Sequence, residues 1–113
     1  MGIGKAANTH VMYQTIYHEH LDSVVFWAMG AGIDVDFPES GINLVKCMSG
    51  KWFVEVDHGN CFNNLDGISK PEIAPFIEPT FFNSEDEARD FAYECIKSVY
   101  PDLKNKDLNG YYS

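Results

Sequence analysis

The stretch from Ser84 to Tyr100, SEDEARDFAYECIKSVY, constrains the fold more than any other part of the chain, because every local signal for an amphipathic helix agrees there. Ser84 and Glu87 have the spacing of a capping box, in which each side chain satisfies a backbone N–H at the helix start. Pro101 cannot continue the helix and predicts its end. Apolar residues at steps of three and four predict one buried stripe, formed by Ala88, Phe91, Ala92, Cys95, Ile96 and Val99.

The first third of the chain has a similar apolar spacing and predicts a second, longer helix. Asn8 or Thr9 can cap its start, and Gly30 and Gly32 supply its stop. Its predicted buried face consists of Tyr13, Ile16, Tyr17, His20, Leu21, Val24, Trp27, Ala28 and Ala31.

Between these two segments the apolar period changes to two, which is typical of strands. The alternation predicts a strand over 33–37, a hairpin of 42–48 with 51–57, and a short returning strand through Cys61 and Phe62. If Ser49 and Gly50 form a two-residue loop, Cys47 faces Trp52 across the hairpin. This register predicts a core face made of Val45, Cys47, Trp52, Val54 and Val56.

These elements together predict the α+β class: an antiparallel meander of three to four strands, with a long N-terminal helix and a C-terminal helix packed on the sheet. A chain of 113 residues has the size of one domain, so we expect 1–113 to fold as a unit. Within it we expect an N-terminal arm over 1–8, a proline-rich loop over 69–80 and a polar tail over 102–113.

The composition restricts the partners. Seventeen acidic and eight basic residues give a formal net charge of −9, which disfavours direct binding to nucleic acid and to anionic membranes. A partner selected by charge is therefore basic; the alternative is that the acidic surface only keeps the protein soluble. Three cysteines without a CxxC pair, and no long apolar segment, predict a cytoplasmic protein, in the host cytoplasm if it is phage-encoded.

Few residues in the sequence suggest a metal site or a catalytic site. On a helix, His18 and His20 would point about 200° apart and could not bind the same ion. His18 and Asp22, four residues apart, could chelate, but two ligands make no site without His10 or His58, so we expect no metal. His58 and Cys61 have the residue types of an activated thiol, but the predicted register buries Cys61 opposite Val56, where a thiol is inert. We expect no cofactor and no catalysis; a small thiol- or metal-dependent enzyme around His58 and Cys61 is the least favoured alternative.

The outer face of the last helix is the feature that most suggests a function. Glu87, Asp90 and Glu94 are neighbours at three- and four-residue steps, an arrangement that costs a few tenths of a kcal/mol per pair. A solvated face is the ordinary meaning of such a row. The functional meaning is a nucleic-acid mimic: a row of carboxylates that can occupy an Arg- and Lys-lined channel on a partner.

The leading hypothesis is therefore a non-catalytic protein-protein interaction module that docks on a basic, nucleic-acid-binding protein. Small acidic single-domain proteins of this design include phage-encoded inhibitors of host defence nucleases, of the anti-CRISPR and anti-restriction type, although no stretch matches a family motif. The predicted partner-binding residues are Glu85, Glu87, Asp90 and Glu94, with Phe76 and Ile77 of the proline-rich loop as an apolar anchor.

A homodimeric structural or accessory subunit is the alternative function. Towards its end the predicted N-terminal helix becomes apolar nearly all round, which favours either the core or an interface with a second chain. The candidate interface residues are Val25, Phe26 and Met29 on that helix, and Phe53 on the other face of the hairpin, which mixes apolar and charged residues.

Overall fold

The computed structural model describes residues 8–29 and 38–112. Its elements are α1 (Thr9–Met12), β1 (Thr15–His20), α2 (Asp22–Ala28), β2 (Gly41–Cys47), β3 (Trp52–His58) and α3 (Glu85–Val99), followed by 3₁₀ turns at Pro101–Leu103 and Leu108–Tyr112. The three strands form one antiparallel sheet in the order β1-β2-β3. The α+β class and the three-stranded antiparallel sheet are confirmed.

The C-terminal helix is confirmed with its predicted start. The Ser84 hydroxyl accepts a hydrogen bond from the Glu87 backbone N–H at 3.2 Å, as a capping box requires. Ala88, Ala92, Cys95 and Ile96 are buried, and the helix packs against β2 and β3. The predicted stripe is therefore the surface by which α3 is attached to the sheet.

The predicted long N-terminal helix is wrong. Asn8 caps a helix, but that helix ends at Met12, and Gln14 has a positive φ of 50° that turns the chain. Thr15–His20 then continues as a strand that pairs with β2. Its β-branched and aromatic residues fit a strand as well as they fit helical spacing, and pairing with a buried neighbour decides between the two.

The hairpin is confirmed, but its predicted register is wrong by one residue. Leu44 pairs with Val54 and Lys46 with Trp52, because the loop contains three residues, 48–50, rather than two. The Cys47 N–H donates to the Lys51 carbonyl at 2.8 Å, and Gly50 has the left-handed φ of 92° that such a loop uses. The one-residue shift exchanges cross-strand neighbours and divides the predicted core face between the two sides of the sheet.

Two apolar clusters consequently cover the sheet. The larger lies between the sheet and helices α2 and α3, and its strand residues are Ile42, Leu44, Trp52 and Val54. The smaller lies on the opposite face, where Val45, Cys47 and Phe53 pack under Tyr13. Most of β2 and β3 is therefore buried on both faces, whereas the sequence predicts that one face of the hairpin mixes apolar and charged residues. Strand β1 at the edge of the sheet is mostly exposed.

The remaining predictions have mixed outcomes. The predicted fourth strand through Cys61 and Phe62 is wrong, since 61–64 form turns, with Cys61 exposed and Phe62 in the core. The predicted strand over 33–37 and the stop at Gly30 and Gly32 lie outside the described residues.

The loop and the C-terminal segment complete the described fold. Residues 70–81 form neither helix nor strand, while Ser69 makes an isolated bridge to Glu55. The C-terminal 3₁₀ turns bury Leu103 and Leu108 in the larger cluster, so this segment contributes to the core. No helix in the described part of the chain has both the length and the apolar composition needed to span a bilayer.

Candidate functional site

Three of the predicted partner-binding carboxylates lie on the solvent side of α3. Glu87, Asp90 and Glu94 are exposed, and among the described residues none of them forms an ion pair. The Glu87 carboxylate accepts a hydrogen bond from the Ser84 hydroxyl at 3.2 Å. Neighbours at these steps have Cβ atoms about 5–6 Å apart, so the three form one continuous row of negative charge.

Glu85 belongs to a different environment. Its carboxylate contacts Arg89 Nη2 at 2.5 Å, and the same guanidinium binds Glu19 of β1 through two hydrogen bonds of 2.7 and 3.1 Å. The side chains of Arg89 and Glu19 are only 13% and 17% exposed. The hydrogen bonds to Glu19 raise the pKa of Arg89 well above its usual value. The Glu85 carboxylate is therefore already paired with the arginine that connects α3 to β1.

The two predicted anchor residues of the loop differ in exposure. Ile77 is 76% exposed, whereas Phe76 is half-buried, with its ring centroid 6.5 Å from that of Tyr13. Ile77 lines a groove of about 240 Å³ that extends to Gly67, and Gly67 packs against the ring of Phe91 on α3. Phe91 is partly buried against the larger apolar cluster, so the groove adjoins the edge of the buried face of α3.

The residues of the alternative interface are mostly internal. Val25 and Phe53 are buried, at 2% and 0% exposure, and Phe26 is half-buried. Met29 is 41% exposed. Val25 and Phe53 can contact a second chain only if the protein partly unfolds.

The structure does not bring His58 and Cys61 together as a nucleophile and its base. Cys61 is exposed in a turn, and its N–H donates to the Ser40 hydroxyl at 3.0 Å. The two ring nitrogens of His58 face carboxylates and a backbone carbonyl instead. The other two thiols are buried, which raises the pKa of Cys47 and raises that of Cys95 to about 11. Buried, protonated thiols are unreactive.

His58 instead forms a cluster with two carboxylates at one end of the sheet. Its Nδ1 lies 3.3 Å from Asp57 Oδ2 and 3.5 Å from Asp22 Oδ2. One potential ligand atom from each of the three residues lies within 4.8 Å of the others. The group joins the last two residues of β3 to the first residue of α2, and we refer to Asp22, Asp57 and His58 as the sheet-end cluster.

A β-bulge places two consecutive residues in this cluster. Gly41 pairs with His58 and Ile42 with Val56, which leaves Asp57 as an extra residue on β3. In a regular strand the side chains of Asp57 and His58 would point to opposite faces, but a bulge redirects one of them. The bulge therefore converts an Asp-His dipeptide into two converging ligand groups.

Gly41 provides the space in which the cluster packs. A Cβ atom at this position would lie 1.8 Å from Asp22 Oδ1 and 2.7 Å from His58 Cε1. Any larger residue would separate the two side chains. Asp22 Oδ1 is itself buried, and among the described residues it has no hydrogen-bond partner.

Neighbouring groups orient the cluster. His58 Nε2 lies 3.3 Å from the buried Pro38 carbonyl, to which it can only donate. The Asn43 amide donates to Asp57 Oδ1 at 3.4 Å, and its own oxygen lies 2.7 Å from Nδ1 of His20. Burial, together with the charge of Asp57, raises the pKa of Asp22 against the opposing effect of His58 and His20. Burial lowers the pKa of His58, but the hydrogen bonds to Pro38 and Asp57 and the two carboxylate charges outweigh it, so that its pKa is raised.

The histidines of β1 require a correction. The expectation that His18 and His20 diverge depends on a helix that does not form. On a strand they share a face, and their ring centroids are 5.2 Å apart. The ring of His10 on α1 meets the ring of His18 edge-on, with 6.0 Å between their centroids. The sequence argument against a metal site therefore lacks its structural basis.

Sequence reasoning missed Asp57 and Gly41 as site residues, and it considered Asp22 only as a partner of His18 on a helix. Their separation along the chain leaves no local periodicity that connects them. The one local signal is Asp-His-Gly at the end of a strand, which the sequence interpretation assigned to a turn or, through His58 and Cys61, to an activated thiol. Neither a protein-family model, nor a curated protein, nor a solved structure matches the chain.

Proposed function

We propose that the protein is a non-catalytic interaction module whose acidic α3 face docks on the basic, nucleic-acid-binding surface of another protein. The observation that carries this proposal is the row of Glu87, Asp90 and Glu94, which is exposed and forms no ion pair with any described residue. Like charges at these steps destabilise a helix slightly, and of the three only Glu87 lies in the first turn, where the helix dipole favours an acid. Helix stability therefore does not explain Asp90 and Glu94.

The net charge supports the same partner class. At −9 the protein attracts basic surfaces over a distance of about one Debye length, roughly 8–10 Å at physiological salt. Arg and Lys side chains that bind nucleic-acid phosphates can bind carboxylates in the same way. Occupation of that surface would block nucleic acid, as expected of an inhibitor of a defence nuclease encoded by a phage or mobile element.

The exposed Ile77 supplies the apolar contact that a purely electrostatic interface lacks. It lies on a groove that extends to Gly67, and Gly67 packs against Phe91 at the edge of the buried face of α3. Interfaces generally combine a few buried apolar anchors with a polar rim, and charge pairs contribute mainly to association rate and specificity. We therefore place Ile77 near the centre of the interface and the carboxylates around it.

The proposal is tested by partner capture with an immobilised full-length chain and lysate of the organism that encodes it, at low and high salt. We expect capture of a protein that binds nucleic acid, weaker capture at high salt, and displacement of the captured protein by duplex DNA or RNA. A captured partner that is indifferent to both salt and nucleic acid would contradict the proposed mechanism.

A variant with Glu87, Asp90 and Glu94 all replaced by Lys sharpens the test. Each replacement adds two charge units, so the net charge changes from −9 to −3. The matched control replaces the exposed acids Glu39, Glu72 and Asp102 by Lys and has the same net charge. We expect the α3 variant alone to lose capture; equal loss in both variants would show that net charge, rather than the row, attracts the partner.

A further inference from the structure

We propose that the sheet-end cluster binds one divalent first-row transition-metal ion, of which Zn²⁺ is the representative, through the carboxylates of Asp22 and Asp57 and Nδ1 of His58. This site is independent of the acidic face of α3. It would join the end of β3 to the start of α2.

The spacing of the donor atoms fits such an ion. Zn²⁺ binds nitrogen and carboxylate oxygen at about 2.0–2.2 Å, which places two tetrahedral ligand atoms about 3.3–3.6 Å apart. His58 Nδ1 lies 3.3 Å from Asp57 Oδ2 and 3.5 Å from Asp22 Oδ2. Two of the three edges of the ligand triangle therefore already have the required length, and all three donors lie within 4.8 Å.

The surroundings orient the ligands as in a built metal site. A metal-bound histidine commonly donates its other ring N–H to a backbone carbonyl, which fixes its tautomer. The Nε2 of His58 has that partner in Pro38, and this leaves Nδ1 directed at the two carboxylates. Asn43 holds the second oxygen of Asp57 in the same manner. Two of the three ligands thus have outer partners in place.

The third ligand has no outer partner. Its oxygen next to His58 is Oδ2, whereas Oδ1 lies against Gly41, buried and without a hydrogen-bond partner among the described residues. Two carboxylates and a neutral imidazole carry a charge of −2, which a divalent ion neutralises. Gly41 keeps the space at this position free of a Cβ atom.

The donor chemistry selects the class of ion. An imidazole nitrogen favours zinc, iron, nickel or copper, whereas Mg²⁺ and Ca²⁺ prefer all-oxygen sites. Three protein ligands leave a coordination position for water or another ligand. Asp57 and His58 also line a groove of about 290 Å³, which offers a route from solvent.

The test is calorimetric titration of the chelator-treated, full-length chain with Zn²⁺, and with Mg²⁺ in parallel. We expect one Zn²⁺ per chain and no comparable Mg²⁺ binding. Asp22→Asn and His58→Gln should each weaken Zn²⁺ binding by about 100-fold or more, since loss of an outer partner alone typically costs about 10- to 100-fold. His10→Gln is the matched control, because it removes an exposed histidine that is not in the cluster.

The outcomes separate this site from two alternatives. If His10→Gln removes binding while Asp22→Asn retains it, the ion binds the surface histidines and the proposal is wrong. If the wild-type chain binds no Zn²⁺, the cluster is an internal ion pair only. Asp22→Asn preserves the size of the side chain, and its thermal unfolding in chelator shows whether the variant is folded. If Asp22→Asn does not fold, Zn²⁺ binding is measured with Asp57→Asn instead. Weakened binding then supports the site, and retained binding contradicts it.

Discussion

Carboxylates occur in two contrasting regions of this molecule. On α3, Glu87, Asp90 and Glu94 belong to one continuous helix, face solvent and have no ion-pair partner among the described residues. In the sheet-end cluster, Asp22 and Asp57 come from separate elements and surround an imidazole, and Asp22 is partly buried whereas Asp57 is exposed. The same side chain is thus a surface charge in one place and a potential ligand in the other. The surroundings of a carboxylate, rather than the acidic composition, therefore indicate its function.

Arg89→Met should cause the largest effect on stability. It would leave Glu19, whose side chain is 17% exposed, without its bidentate partner. Breaking a largely buried ion pair from one side typically costs about 3 kcal/mol or more. The free energy of unfolding from urea titration measures the loss. Lys97→Met, which removes a cation from the same helix, should cost less than about 0.5 kcal/mol; equal losses would mean that Arg89 acts only through net charge.

Zn²⁺ should stabilise the wild-type chain through the sheet-end cluster. At a free concentration 100 times its Kd, a ligand specific for the folded state adds about 2.7 kcal/mol. The urea midpoint with and without Zn²⁺ measures this gain. Glu94→Gln on α3 should respond like the wild type and Asp22→Asn should not respond. Loss of the Zn²⁺ response in Glu94→Gln would mean that the ion binds the acidic row of α3 rather than the sheet-end cluster.

Gly41→Ala should destabilise the protein by about 2 kcal/mol, since a Cβ atom 1.8 Å from Asp22 Oδ1 forces side chains apart and overpacking typically costs about 1–3 kcal/mol. It should also weaken the response to Zn²⁺. Gly50→Ala provides a comparison: its surroundings are open, but its φ of 92° should cost about 1 kcal/mol. An unchanged Zn²⁺ response in Gly41→Ala would show that the cluster tolerates displacement of Asp22.

Neutralising one acid of the α3 row should have the smallest effect on stability. Glu94→Gln removes a like-charge neighbour of Asp90 and should stabilise the helix by a few tenths of a kcal/mol. Thermal unfolding at low salt measures the gain, which should decrease as salt screens the repulsion. Destabilisation by more than 1 kcal/mol would mean that Glu94 is engaged within the fold.

The same contrast explains how much the sequence could predict. The start and the buried stripe of α3 follow from local signals, namely the Ser84 cap, the apolar spacing and Pro101, and these are confirmed. The N-terminal segment is ambiguous locally. Tyr13, Ile16 and Tyr17 fit a helical stripe, but pairing of β1 with β2 makes the last two part of a strand.

The sheet and the cluster depend on details that periodicity does not contain. One extra loop residue before Lys51 shifts the hairpin register, and one extra residue at Asp57 creates the bulge. The sheet-end cluster also requires Asp22 and Gly41 to meet across the fold. The acidic row was predictable because its members lie on one helix, whereas the cluster was not, because its geometry exists only after the strands pair.

One capture experiment separates the roles of the two regions most directly. Wild-type chain, Asp22→Asn and the variant with Lys at positions 87, 90 and 94 are compared in the same partner-capture assay. We expect Asp22→Asn to capture the partner like the wild type, and the α3 variant to capture none above background. Undiminished capture by the α3 variant would contradict the central claim that the exposed carboxylates of this helix form the docking surface.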